Sequence, residues 1–143
     1  MFRSQAVFLT LLYALTLHAA ARLTGTHDFS AFRAAECQAR SPVKTLHEAR
    51  VERASGLIVC RFRADAFLHH MIRNLMGALI YVGAARQPVE WIGDLLRMRD
   101  RSGSAPTFAA AGLYLTAVEY PLRHNLPAAS VPPMDELQRM TFP

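Results

Sequence analysis

The sequence has few cysteines, and its N-terminal apolar run is too short to span a membrane. It has two cysteines in 143 residues, Cys37 and Cys60, which are too few and too far apart for a zinc motif. Its apolar run from Ala6 to Leu17 is too short to cross a bilayer. No segment is repeated along the chain. These shortages exclude a cysteine-bound zinc structure, a membrane-spanning helix and a repeat architecture, and the two isolated thiols favour a reducing compartment.

Acidic residues and lysine are also scarce, whereas arginine is abundant. The chain has 11 acidic and 16 basic residues, Lys44 is the only lysine, and the formal net charge is +5. A planar guanidinium suits phosphates and base edges, so this bias leans toward a nucleic-acid partner. The same bias is common in proteins from GC-rich genomes for no functional reason. Charge alone therefore leaves both interpretations open, while an apolar fraction of 52% predicts a packed core for one domain or part of a larger one.

The first 21 residues allow two interpretations. A short basic start, the apolar run to Leu17 and the three alanines that end at Ala21 are typical of a secretory signal with its cleavage site. The same residues also fit a core helix with Ser4 as its N-cap and Gly25 just past its end.

Alternating residues predict a β-hairpin in the middle of the chain. Val43 to Arg53 and Leu57 to Ala64 are the predicted strands, and the turn between them contains Gly56. One face of the first strand is expected to carry Val43, Thr45, His47, Ala49 and Val51. A third strand is predicted from Gly112 to Tyr120.

Two helices are predicted between the hairpin and the third strand. Asp65 is placed to cap the first, which ends near Gly83, and Pro88 opens the second as its first-turn proline. Together with the N-terminal helix, the order is helix, strand, strand, helix, helix, strand. Because hairpin strands are antiparallel, the predicted fold class is α+β, an antiparallel sheet with helices packed on one face.

The helix after Asp65 places polar groups on an otherwise apolar surface. Arg73 lies one turn after His69, and Gly77 continues that line without a side chain. A guanidinium held there needs a partner, because an unpaired buried charge is costly, although a snorkelling arginine at the edge of the core fits the residues alone. His69 and His70 point about 100° apart on a helix and cannot easily share one ion, so no metal site is predicted.

Five blocks of the sequence carry a more specific signal: His27-Asp28-Phe29-Ser30-Ala31-Phe32-Arg33, Cys37-Gln38-Ala39-Arg40-Ser41-Pro42, Asp65-Ala66-Phe67-Leu68-His69-His70-Met71-Ile72-Arg73-Asn74, Ala105-Pro106-Thr107 and Gly112-Leu113-Tyr114-Leu115. In this order and spacing they closely resemble the tRNA pseudouridine synthase A family, over roughly Ala20 to Met134. The resemblance is to the C-terminal half of such an enzyme.

The resemblance implies an isomerase that converts uridine to pseudouridine in the anticodon stem-loop of tRNA, at tRNA positions 38–40, in the cytoplasm. The family uses no metal or organic cofactor. Its members are usually homodimers, so tRNA and either a second copy or a separately encoded catalytic half are the expected partners, with no membrane association. The family's catalytic aspartate stands in a Gly-Arg-Thr-Asp type motif of the N-terminal half, which this sequence lacks, and its active-site tyrosine has no match either. The chain alone is therefore expected to be inactive.

The resemblance also assigns roles to individual residues. Arg73 falls on the arginine that pairs with the catalytic carboxylate, and Leu113 on the apolar residue that packs against the target base. A structural or phosphate-contacting role is expected for His69 and His70. A tRNA-backbone surface is a further hypothesis, motivated by the arginines around the hairpin and the loop before it: Arg33, Arg40, Arg61 and Arg63. Neutralising several of these is expected to flatten the salt dependence of tRNA binding.

Three segments are expected: an atypical apolar start at 1–17, the pseudouridine synthase C-terminal domain at 18–134, and a tail at 135–143. Signal cleavage after Ala21 would cut a helix that the family needs, so a truncated or misstarted reading frame is favoured over export. Two other functions stay open, a non-catalytic RNA-binding or subunit-pairing module and a small exported protein.

Overall fold

The computed structural model describes residues 13–54 and 56–127, and the chain divides into two units, Met1–Ala109 and Ala110–Pro143. The helices of the first unit are α1 (residues 13–21), α2 (Met71–Gly83) and α3 (Trp91–Met98). Its strands are β1 (Gly25–Asp28), β2 (Val43–Ala54) and β3 (Leu57–Ala64). The N-cap predicted at Ser4 and the predicted tail at 135–143 lie outside the described residues.

The three strands form one antiparallel sheet in the order β1-β2-β3. The predicted hairpin is confirmed, with Gly56 in the left-handed region (φ 82°) at its turn, where a residue without Cβ is favoured. Strand β1 is an addition to the strands predicted from the sequence, which began only at Val43. A sheet combined with helices of the same unit confirms the α+β class.

A bulge in β2 overturns the predicted face before residue 48, whereas Ala49 and Val51 do lie on the core side. Leu46 pairs with Ala64 and Glu48 pairs with Arg63, so His47 is an extra residue without a partner in the ladder. Such an insertion shifts the alternation of side chains by one residue. The buried residues of β2 are therefore Leu46 and Val51, while Val43 and His47 of the predicted face are exposed.

One apolar core joins the sheet to the helices. Leu46 and Val51 come from β2, Leu75 and Leu79 from α2, and the buried side chains of α3 are Ile92 and Leu95. Burying each such side chain contributes about 1.5–3 kcal/mol. Among the described residues, no helix combines the length and the apolar composition needed to cross a bilayer.

Helix α2 begins at Met71, later than predicted, although its end at Gly83 is confirmed. Asp65 does not cap it, because its Oδ1 accepts the N–H groups of Thr45 (3.1 Å) and Ala66 (2.8 Å) and so fastens the end of β3 to β2. The residue before the helix is His70, which has a left-handed backbone (φ 59°) and makes no side-chain cap. This left-handed residue separates the loop after Asp65 from the helix.

Helix α3 likewise begins three residues after the predicted opening at Pro88. The Pro88 carbonyl accepts the Trp91 N–H at 3.1 Å, which forms a turn ahead of the helix. The buried side chains of α3 are those of Ile92 and Leu95.

The second unit is described over residues 110–127, and the strand predicted from Gly112 to Tyr120 is wrong. A turn closes where the Ala110 carbonyl accepts the Leu113 N–H at 3.1 Å, and a 3-10 turn follows at Leu122–His124. A strand requires a neighbour for its backbone groups, and within the described residues this segment has no ladder partner. Many of its large apolar side chains are exposed: Leu113, Tyr114, Leu115, Val118, Tyr120, Leu122 and Leu126.

Candidate functional site

The most informative side chain lies in the first turn of α2. Arg73 is half-buried, and its Nε donates to the Phe108 carbonyl at 2.7 Å. The backbone reinforces this contact, because the Phe108 N–H donates to the Arg73 carbonyl at 3.1 Å. Within residues 13–54 and 56–127, no hydrogen bond or ion pair occupies the two Nη groups of this guanidinium. The structure therefore fixes the Nε edge of Arg73, and the part of the chain that it describes supplies no partner for the Nη edge.

A carboxylate is the group that such an edge suits best. Two parallel N–H donors on a planar cation match the two oxygens of a carboxylate, and a phosphate can be held in the same way. With Nε already engaged by Phe108, an end-on pairing through Nη1 and Nη2 remains for Arg73.

Two imidazoles stand beside this arginine. The rings of His69 and His70 are 4.0 Å apart between centroids and tilted, with 30° between their planes. The expected divergence of about 100° is wrong, because both residues precede α2. Burial lowers the pKa of His70, the charges of His69 and Arg73 lower it further, and the charge of Glu36 opposes them. Among the described residues, no three His, Cys, Asp or Glu side chains are grouped so as to hold a metal ion.

The loop that holds Arg73 touches the helix through a glycine. A Cβ built on Gly77 would lie 2.2 Å from the Pro106 carbonyl oxygen, which is far inside van der Waals contact. Gly77 is one turn beyond Arg73, on the helix line predicted from the sequence. The absence of a side chain at this position lets residues 105–108 lie against α2.

Replacing Gly77 by alanine is expected to destabilise the protein, whereas the same replacement at a second helical glycine, Gly93, is expected to stabilise it. We expect Gly77→Ala to lower the free energy of unfolding by about 1–2 kcal/mol, since overpacking outweighs the helix propensity gained. A Cβ on Gly93 in α3 would meet nothing within 4 Å, so Gly93→Ala is expected to raise it by about 0.5–1 kcal/mol. Urea unfolding of both variants measures the difference, and equal stabilisation by both would contradict the close approach.

Asn74, next to Arg73, is a residue of the site that sequence reasoning missed. It is 1% exposed, and its Nδ2 donates to the Phe32 carbonyl at 2.8 Å. Its Oδ1 accepts from Thr107 Oγ1 at 2.6 Å and from Arg101 Nη2 at 3.1 Å. The sequence did contain a signal for Asn74, because this polar residue lies in line with the buried residues of α2. An amide buried there needs hydrogen-bond partners, since leaving it unpaired is costly.

The predicted RNA-contacting arginines lie on two different elements. Arg61 and Arg63 are on β3, where they pair with carboxylates of β2, Arg61 with Glu52 at 3.8 Å and Arg63 with Glu48 at 4.0 Å. Arg33 and Arg40 belong to the loop between β1 and β2. Arg33 Nη2 donates to the carbonyls at 37 and 39 and so holds that loop, whereas Arg40 is exposed. Their contact with tRNA stays a prediction.

The two thiols have different environments. Burial raises the pKa of Cys60 to about 11, and this half-buried thiol packs against the core from β3. Cys37 Sγ accepts the His69 N–H at 3.4 Å. The amide of Ala39 and that of His69 lower the pKa of the Cys37 thiol, assisted by Arg33 and opposed by burial.

Leu113 belongs to the second unit, where its side chain is 47% exposed. Gly112 before it has a left-handed backbone (φ 83°) at the turn that begins with Ala110. An exposed leucine is compatible with an apolar wall, and the assignment of Leu113 to a base pocket stays a prediction.

Comparison with known proteins identifies one family. The model of the family described as tRNA pseudouridine synthase matches residues 19–121. The chain is similar to tRNA pseudouridine synthase A of Thiobacillus denitrificans, with 61% identity over 112 residues, which are 78% of this chain and 43% of that protein. The protein of the same name from Paraburkholderia phytofirmans is 54% identical over 110 residues, which are 77% of this chain and 41% of that protein. The one from Bordetella petrii is 56% identical over 108 residues, which are 76% of this chain and 40% of that protein. The chain spans about two fifths of the length of these curated relatives.

Proposed function

Because the chain belongs to the tRNA pseudouridine synthase family, we propose that it supplies the C-terminal part of an enzyme that isomerises uridine to pseudouridine in the anticodon stem-loop of tRNA. The observation that carries this proposal is the guanidinium of Arg73, which is anchored through Nε on Phe108 while its Nη groups have no partner among the described residues. The proposed target uridines are at positions 38–40 of the tRNA, and the proposed compartment is the cytoplasm.

The proposed chemistry requires a catalytic carboxylate from a Gly-Arg-Thr-Asp type motif, and this sequence lacks that motif. An aspartate from a Gly-Arg-Thr-Asp type motif acts on a flipped-out uridine, the glycosidic bond to N1 breaks, the uracil rotates, and a bond to C5 forms as the C5 proton leaves. Arg73 pairs with that aspartate and keeps it ionised, since an adjacent cation lowers the pKa of a carboxyl group. Leu113 forms part of the wall beside the base.

The polypeptide that carries the aspartate is proposed to associate with this chain. The exposed apolar side chains of residues 113–126 support such an association, because water-exposed patches of this kind often mark interfaces. A second copy of the chain and a separately encoded catalytic half are both compatible with this feature. Arg40, Arg61 and Arg63, with His69 and His70, are proposed to contact the phosphate backbone of the tRNA.

A complementation experiment tests the proposed function. The full 143-residue chain is co-expressed with the part of the Thiobacillus denitrificans relative that precedes its 112 matched residues. The resulting assembly is the completed enzyme. We expect tritium release from unmodified tRNA labelled at uridine C5. The full chain alone is expected to release none, since it lacks the aspartate motif.

The relative divided at the same point, with both of its own parts co-expressed, is the matched control. If this divided relative is active and the completed enzyme fails to copurify or to release tritium, the proposed function is wrong. Tritium release by the full chain alone would contradict the assignment of the catalytic carboxylate to another polypeptide. Binding of tRNA by the completed enzyme without tritium release would support the alternative of a non-catalytic RNA-binding module.

A further inference from the structure

The segment Ala105-Pro106-Thr107 contributes a hydroxyl to a network beneath the loop that holds Arg73. Thr107 Oγ1 donates to Asn74 Oδ1 at 2.6 Å and accepts from Arg101 Nη2 at 3.1 Å. Arg101 also donates from Nη1 to the Ala105 carbonyl at 2.8 Å. The loop is thus fastened at two of its residues, immediately before Phe108.

The other end of this network is anchored in the core. Asn74 is buried in α2, and its Nδ2 donates to the carbonyl of Phe32, which is itself fully buried. One amide therefore joins three segments: the 3-10 turn Ser30–Phe32, helix α2 and the loop of residues 105–108. Because the oxygen and the nitrogen of this amide both have partners, its orientation is defined.

The network and Arg73 meet at adjacent residues. Asn74 follows Arg73 in α2, and Thr107 precedes Phe108 in the loop, so the side-chain bond between Asn74 and Thr107 runs beside the bonds between Arg73 and Phe108. A long arginine side chain has many rotamers in isolation, and fixing the acceptor of its Nε–H selects among them.

We propose that Thr107, with Asn74 and Arg101, is a positioning residue that holds the Phe108 carbonyl against Arg73 Nε and so aims the free edge of the guanidinium. Its relevance to catalysis rests on the proposed function, in which that edge meets a carboxylate. A preorganised donor pair stabilises the ionised carboxylate more than a mobile one, since the pairing then requires no reorganisation.

The test follows the hydrogen bond of Arg73 directly in the full chain. Nuclear magnetic resonance of the protein labelled with nitrogen-15 arginine gives the Nε–H signals, and Arg73→Lys identifies the signal of Arg73 by its loss. Thr107→Val removes the hydroxyl with little change in shape, and we expect it to accelerate solvent exchange of the Arg73 Nε–H by about five- to tenfold. Thr107→Ser keeps the hydroxyl and is expected to keep the exchange rate within about twofold of the parent.

Two further variants separate positioning from general stability. Val51→Ala creates a cavity in the sheet and lowers the melting temperature, yet it is expected to leave the Arg73 exchange rate unchanged. Arg101→Lys keeps the charge and removes the forked contacts to Ala105 and Thr107, and it is expected to act like Thr107→Val. An unchanged rate in Thr107→Val and Arg101→Lys, or an equal acceleration in Val51→Ala, would overturn the proposal.

The kinetics of the completed enzyme distinguish a positioning role of Thr107 from a purely structural one. Thr107→Val is expected to lower kcat several-fold with little change in KM for tRNA, whereas Thr107→Ser restores kcat. An equal loss of kcat in Thr107→Ser would contradict the role of the hydroxyl. A completed enzyme without turnover would defeat the proposed function, while the exchange measurement would still decide whether Thr107 positions Arg73.

Discussion

Arg73→Lys in the completed enzyme is expected to reduce kcat by about 100-fold, and Arg73→Ala by about 1,000-fold. Removing one partner of a buried ion pair costs about 3–5 kcal/mol, and each 1.4 kcal/mol corresponds to a factor of ten in rate. Lysine keeps the charge but loses both the Nε contact to Phe108 and the paired Nη donors, so it cannot hold a carboxylate in the same geometry. Initial rates of tritium release measure kcat, and a filter assay measures tRNA binding.

A second arginine provides the control for this prediction. Arg97 is on α3, its side chain is 79% exposed, and it pairs with Asp94 of the same helix. Arg97→Lys is expected to leave kcat within about twofold of the parent, because an exposed pair on one helix contributes little. If Arg73→Lys reduces tRNA binding as strongly as it reduces turnover, Arg73 contacts a phosphate of the substrate and the proposed pairing with a carboxylate is wrong.

Leu75→Ala is the substitution with the largest expected effect on stability, about 3–4 kcal/mol lost from the free energy of unfolding. Leu75 has no exposed surface and lies in α2 between the residues that position Arg73 and the rest of the core. Truncation removes its transfer free energy and leaves a cavity that a packed interior fills only in part. Because small domains are stabilised by only about 5–15 kcal/mol, this loss is a large fraction of the total. Urea unfolding followed by circular dichroism measures it.

The matched substitution is Met98→Ala at the end of α3. Met98 is 59% exposed, so its truncation is expected to change the free energy of unfolding by less than about 0.5 kcal/mol. Comparable losses in the two variants would show that α2 does not lie in the centre of the core.

The parts of the fold that follow from local patterns were predicted correctly. The hairpin follows from two alternating segments around a glycine turn, and the end of α2 near Gly83 follows from its apolar rows. The class α+β then follows because adjacent hairpin strands are antiparallel. The apolar helix singled out Arg73 as a charge that needs a partner, but the residues alone also fitted a snorkelling arginine, and its pairing role came from the family resemblance. The partner found for its Nε is the backbone carbonyl of Phe108.

The features that were missed depend on contacts distant in sequence. The late start of α2 results from Asp65 bonding to Thr45 of β2, which competes with capping. The bulge at His47 is defined only by the pairing of β2 with β3. Asn74 gains its role from a carbonyl 42 residues earlier and a hydroxyl 33 residues later. Tertiary partners of this kind leave no periodic signal in the sequence.

The extra residue at His47 also bears on how this protein can change during evolution. Leu46 and Val51 are five positions apart, and they reach the same core because one residue between them is left out of the ladder. Deleting that residue would leave them four positions apart, on one face of a regular ladder, so both core contacts would survive. This strand can therefore lose the bulge during evolution, together with the local bend that a bulge imposes, without exchanging the sides that face the core and the solvent.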